Sequence, residues 1–146
     1  MAHAVSTLFM TGAIWIVQIV HYPLFRYADP ARYANFQAAH VARISPVVMP
    51  AMLLELATAI LLLLPILRLP SVRATTAWMG MALLLGIWLS TFALQVPDHA
   101  RLAAQFDAAA HARLVLGNWL RTVGWTLRSA LVGTWLLGAL RAAADK

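Results

Sequence analysis

Four stretches of this chain, residues 5–22, 46–67, 74–96 and roughly 115–140, are apolar and long enough to cross a lipid bilayer, which takes about 20 residues at 1.5 Å of helical rise each. A bilayer offers the backbone no water, so spans of this kind satisfy their amides internally, as helices. The charge balance agrees: 62% of the 146 residues are hydrophobic and 11% are charged, where a soluble domain carries about 25% charged residues. The expected fold is all-α, a single integral membrane domain over residues 1–146 built as a four-transmembrane-helix bundle. The first span has no Lys or Arg before it and no small-residue cleavage pattern after it, and reads as a retained helix instead of a signal peptide.

Two function classes fall away at this stage. Without cysteine there are no disulfides, thiolate metal sites or thiol redox steps. The net charge of +6 is almost wholly arginine, spread through loops and one helix and not gathered into a patch, which argues against nucleic acid as a partner.

The spans pair into two helical hairpins joined by RLPSVR (68–73), a short turn with two prolines. Within each hairpin the connection is longer, 23–45 in the first and 97–114 in the second. Each connection opens on a proline just after the helix, with one histidine near its start (His21, His99) and another before the next helix (His40, His111). The parallel suggests a duplicated two-helix unit. In PARYANFQAAHVARIS (30–45), Tyr33, Phe36, Gln37, His40 and Ile44 recur at helical spacing and predict a short amphipathic helix at the interface. Ser45 and Pro46 then read as N-cap and first residue of the second crossing, with Asp98 and Asp107 as caps in the second hairpin.

Polar groups within spans are costly and face the bundle interior. The first span carries Thr11, Trp15, Gln18 and Tyr22 on one face with His21 beside it; the third carries Trp88, Thr91 and Gln95 leading to His99. On the fourth, His111, Asn118, Thr122, Trp125 and Ser129 form a stripe adjoining Arg121 and Arg128. An up-down bundle brings the polar ends of all four to one side of the membrane, leaving the RLPSVR end comparatively bare.

Glu55 is the one acid inside an apolar span. It lies 13 residues before Arg68, as Arg128 lies 13 before Arg141, so each sits roughly 20 Å from the far boundary. An unpaired charge there costs several kcal/mol, so Glu55 is expected to pair with Arg128, Arg121 or both. The pair reads either as a structural tie or as part of a site, and an arginine-paired carboxylate suits metal ligation or proton uptake less well than a free one.

Neutral imidazole is a common metal ligand, and His21, His40 and His99 with Glu55 form a candidate metal set, for a metal ion or haem. No ligand-spacing motif accompanies them, and any one alone reads as an interfacial, hydrogen-bonded side chain. His111 precedes the apolar part of its helix and is expected to face water. Trp78, Trp135, Tyr27 and Trp119 read as an aromatic belt; Trp15, Trp88 and Trp125 lie deeper, as core or as lining for a flat apolar substrate. Gly80, Gly86, Gly124, Gly133 and Gly138 read as close-packing points.

The motifs HYPLF, His40, PAMLLE, VPDHARL and GNWLRTVGWTLR resemble, in layout over nearly the whole chain, small four-helix bacterial membrane proteins of the anthrone-oxygenase-like superfamily. Pro97, His99, Asn118, Trp119 and Arg121 match that superfamily's later hairpin. The resemblance implies oxidation of an aromatic, anthrone- or quinone-like substrate, although the histidine-rich first hairpin departs from it. The candidate site is thus His40, Glu55, Asn118, Arg121 and Arg128 as catalytic residues, with Asn118 and the arginines holding a substrate oxygen. The alternatives are a small proton-coupled transporter with Glu55 as the coupling residue, and a non-catalytic assembly or lipid-binding subunit. The expected partners are the lipid bilayer, a hydrophobic small molecule and, in a homo-oligomer, further copies of the chain. The expected location is the inner (cytoplasmic) membrane, multi-pass. Arg26, Arg32, Arg43, Arg101 and Arg113 on the site side against Arg68, Arg73, Arg141 and Lys146 lean toward a cytoplasmic site.

Overall fold

A computed structural model describes residues 1–145, and these are helical with no strand among them. Lys146, one of the far-side charges, lies outside the described residues. The chain forms four long helices: α1 (Ala2–Tyr27), α2 (Pro30–Leu63), α3 (Ala74–Ala104) and α4 (Ala108–Ala144). The first three are long and apolar enough to cross a membrane. At 37 residues α4 is the longest, but Asn118, Arg121 and Arg128 lower its mean hydropathy and it does not meet that standard.

The helices pack as a ring, α1 on α2, α2 on α3, α3 on α4 and α4 back on α1, while diagonal pairs meet mainly through long side chains. Polarity is inverted relative to a soluble protein. Thr7, Gln37, Glu55, Asn118 and Thr122 have no exposed surface, whereas Leu89 and Leu116 are 70% and 72% exposed. A lipid-facing exterior with polar contacts inside is the arrangement a bilayer favours. Between the polar contacts lies an apolar core that includes Met10, Phe25, Tyr33, Leu102, Leu114 and Trp125.

Three sequence expectations about helix ends are corrected. Pro23 and Pro97 do not close their helices. A wide π-turn precedes each, Val17–His21 and Thr91–Gln95, in which Tyr22 N–H bonds back to Val17 O and Val96 N–H to Thr91 O. Shifting these amides back by one carbonyl loosens the turn where the proline ring would otherwise press on the carbonyl four residues earlier. The helices therefore run on to Tyr27 and Ala104. Residues 30–45 are not a separate interfacial helix: α2 continues through Pro46 and Pro50, and Ser45, instead of capping, donates to Val41 O at 2.7 Å. Asp98 is likewise no cap but a buried partner of Arg113, 2.7 Å away. Asp107 does cap α4, accepting from the Ala109 and Ala110 amides; these bonds, that of Ala110 foremost, hold its carboxyl below the ordinary aspartate range.

The glycines divide. A Cβ on Gly124 would lie 2.8 Å from Ile87, and on Gly80 3.3 Å from Leu131, so α3 and α4 approach closely there; Gly138 is similarly tight against Ser71 at 3.2 Å. Gly86 and Gly133 have nothing within 4 Å and are not packing points. Gly124→Ala should therefore destabilise by about 1–3 kcal/mol through overpacking. Gly86→Ala should be neutral or stabilising by up to about 1 kcal/mol through helix propensity. Thermal unfolding of the two variants in detergent checks the contrast, and a Gly124→Ala protein as stable as Gly86→Ala would contradict the close approach.

Candidate functional site

The deepest polar cluster is built around Glu55 on α2. Its Oε1 accepts from Arg128 Nε at 2.9 Å and Thr7 Oγ1 at 2.7 Å, and its Oε2 from Trp125 Nε1 at 2.9 Å. Arg128, 2% exposed, also donates to Gly80 O, a carbonyl brought within reach by the close approach of α3 to α4. Thus α1, α2, α3 and α4 all meet at one ion pair. Glu55 bonds Arg128 and not Arg121. The RLPSVR half of the bundle is also less bare than expected: His3 bonds Thr58 Oγ1 at 2.8 Å and stacks on Trp135, whose indole donates to Thr76. Trp135 is therefore part of the interior and not of an aromatic belt.

Along the α1–α4 seam the predicted stripes meet. Thr11 bonds Ser129 at 2.6 Å, Trp15 donates to Thr126 at 3.0 Å, and Gln18 accepts from Asn118 at 2.9 Å while donating to Val115 O. Side chains from opposite helices satisfy one another, which is what a buried polar group requires.

Nearer the other end, histidines do converge. His21 Nε2 and His40 Nδ1 are 2.9 Å apart, His40 stacks on His99 with ring centres 5.2 Å apart, and His99 bonds Tyr22 Oη at 3.0 Å and the Gln37 amide. His111 faces inward, not water, contacting Tyr22 O at 2.8 Å and the ring of Phe106. The expected metal set is not formed. Glu55 lies 15 residues from His40 on the same helix, roughly 22 Å away by helical rise. Both nitrogens of His99 already have partners, and one nitrogen of His21 is bonded to His40. Among the described residues, no group of three or more potential ligands is placed to hold a metal ion.

Beside the histidines, an apolar cavity of about 580 Å³ lies between α1, α2 and α3, with Arg121 of α4 at its wall. Met10, Ile14, Val48 and Met52 supply apolar lining, and Tyr22, Gln37, His40, Gln95, His99 and Arg121 form its polar part. Among the described residues, Gln37 Oε1, Gln95 Nε2 and Arg121 Nε are buried without a hydrogen-bond partner, and all three belong to lining residues. Arg121 donates to Asn118 Oδ1 at 3.2 Å and lies over the Trp125 ring at 5.3 Å.

Of the candidate site residues, His40, His99 and Arg121 thus line this cavity, and His21 reaches it only through its bond to His40. Asn118 touches it through Arg121, while Glu55 and Arg128 form a separate tie. The sequence reading missed Thr7, His3 and the roles of Tyr22, Gln37 and Gln95. The spacing of Gln37 to His40 and of Gln95 to His99, three and four residues on one face, was the available signal. Comparison with protein-family models, with curated proteins and with solved structures found no match for the chain.

Removing one member of the ion pair leaves the other charge buried. Arg128→Ala should cost about 3–5 kcal/mol, and Arg128→Met with Glu55→Gln should cost less than Arg128→Ala alone. Unfolding in graded denaturing detergent provides the measurement; a double variant weaker than the single would mean that the two groups are not each other's main partner.

Proposed function

We infer that the chain is a multi-pass membrane protein whose four helices all cross the bilayer as two hairpins, and whose lateral cavity binds an apolar molecule by an oxygen-bearing head. The observation that carries the reading is the trio of unpartnered buried atoms, Gln37 Oε1, Gln95 Nε2 and Arg121 Nε, on the wall of one apolar cavity. A buried polar atom without a partner costs about 1–3 kcal/mol, and a ligand that bonds such atoms offsets that cost on binding. Apolar walls with a few convergent polar groups, in a volume of 580 Å³, suit a single ligand in the usual pocket range of about 300–1,000 Å³.

The crossing of α4 is supported by its packing against both α1 and α3, which hides Asn118, Arg121 and Arg128 and leaves Leu116, Leu120 and Leu127 outward. Four crossings place both ends of the chain on one side of the membrane, and three would place them on opposite sides. Reporter fusions at residues 1 and 146 should give the same sidedness.

A second reading is favoured by the Tyr22–His99–Gln37 chain at the cavity and by the resemblance to anthrone-oxygenase-like proteins. It is oxidation of an aromatic, anthrone- or quinone-like substrate. His40 would take up a proton, Arg121 with Asn118 behind it would hold the developing oxyanion, and the electrons would pass to a diffusible acceptor such as dioxygen. Glu55 serves the carrier alternative poorly, since both its oxygens are engaged and it has no exposed surface.

For the binding reading, 2-naphthol added to protein in nanodiscs should raise the unfolding temperature. Val48→Phe, which fills the cavity, should abolish the rise. An equal rise in the filled variant would place the ligand elsewhere and overturn the assignment.

A further inference from the structure

Arg121 stands out in a charge census of the molecule. The chain has five acidic residues, and the structure accounts for each. Glu55 bonds Arg128. Asp98 bonds Arg113 and lies 3.9 Å from Arg101. Asp107 caps α4 and Asp29 caps the turn at Pro30. Asp145 follows the last turn of α4. None pairs with Arg121, which is only 7% exposed and has an amide oxygen, an indole face and the Tyr22 hydroxyl as its neighbours.

A buried guanidinium with no carboxylate is costly in a low-dielectric interior, and its Nε–H has no acceptor among the described residues. The cavity wall holds a second unused donor close by. Gln95 Nε2 lies 3.4 Å from the Cβ position of Gly117, one helical turn before Arg121 on the same face of α4. Gln95 Oε1 already accepts from Ser90, which leaves the NH₂ group as the unbonded end of the side chain. The polar wall thus includes a positively charged residue, and the residues that line it hold two buried, unbonded N–H donors beside Met, Ile and Val side chains.

We propose that the cavity is selective for an organic anion: one apolar body carrying a carboxylate, enolate or phenolate oxygen, bound by Arg121 Nε–H and the Gln95 amide as the counter-ion that no Asp or Glu of the chain supplies. The proposal rests on the binding reading above and adds the charge of the ligand. A volume of 580 Å³ suits one drug-sized body and is too small for a two-chain phospholipid, so the anion is a membrane-dissolved acid and not a lipid headgroup.

The test uses the full chain in phosphatidylcholine nanodiscs and three probes of one shape: 2-naphthoate, 2-naphthylmethanol and 2-naphthylmethylammonium, each corrected for partition into empty nanodiscs. A hydrogen bond to a charged group is worth more than a neutral one, so naphthoate should bind at least about tenfold tighter than the alcohol, and the ammonium weakest. Arg121→Gln should reduce the acid-to-alcohol ratio to within about threefold of unity, and Arg121→Lys should keep most of it. Equal binding of acid and alcohol to the unaltered protein overturns the anion proposal and leaves the binding reading standing. Binding of none of the three overturns both. A ratio unchanged in Arg121→Gln places the anion elsewhere and also overturns the proposal, as does displacement of naphthoate by phosphatidylglycerol doped into the nanodiscs, which would make a lipid phosphate the occupant. The three-probe comparison on the unaltered protein decides the matter even where the variants fail to fold.

Discussion

The structure hangs on the cost of a charge away from water. Glu55 sits with no exposed surface at the centre of the ring, and the arrangement around it follows from satisfying it: Arg128 from α4, Thr7 from α1, the Trp125 indole from α4. Arg128 in turn takes the Gly80 carbonyl of α3, so α3 and α4 must approach as closely as glycine allows. A buried ion pair is a weak source of stability but a strong penalty on any register that breaks it. Here it joins α2 and α4, the diagonal pair whose backbones do not otherwise pack.

The other half of the interior is organised differently. Instead of a closed ion pair it holds a chain of neutral or uncompensated groups, His21, His40, His99, Tyr22, Gln37 and Arg121, around an apolar cavity. Two buried arginines seven residues apart on one helix therefore have opposite characters. Arg128 is paired with a carboxylate within the chain, and Arg121 is met by an amide oxygen, an aromatic face and the Tyr22 hydroxyl, with no carboxylate.

The paired π-turns connect this arrangement to the hint of duplication. Each lies two residues before its proline, Pro23 or Pro97, and beside His21 or His99. A π-turn rotates the residues beyond it relative to a regular helix. In α1 and α3 that carries the helix past a residue that would ordinarily end it, and brings Tyr22 and His99 to face each other across the diagonal of the ring.

The hydrophobic pattern alone determined the all-helical class, the apolar exterior and the depth match between Glu55 and Arg128, because those depend on length, periodicity and the expense of a lone charge in lipid. The cap at Asp107 was equally legible, being a local bond between a side chain and the next turn. Tertiary structure decided the rest. Which arginine took Glu55 depended on rotation about α4. Whether Pro23 and Pro97 ended a helix, and whether Pro46 began one, depended on the course of the backbone around them, with π-turns before the first two and a continuous helix through the third. Whether His21, His40 and His99 could share a metal with Glu55 depended on which nitrogens their neighbours already engaged and on how far along α2 Glu55 lies. And that Gln37, Gln95 and Arg121, distant in sequence, share one cavity wall is a property of the ring's closure, which no spacing along a single helix records.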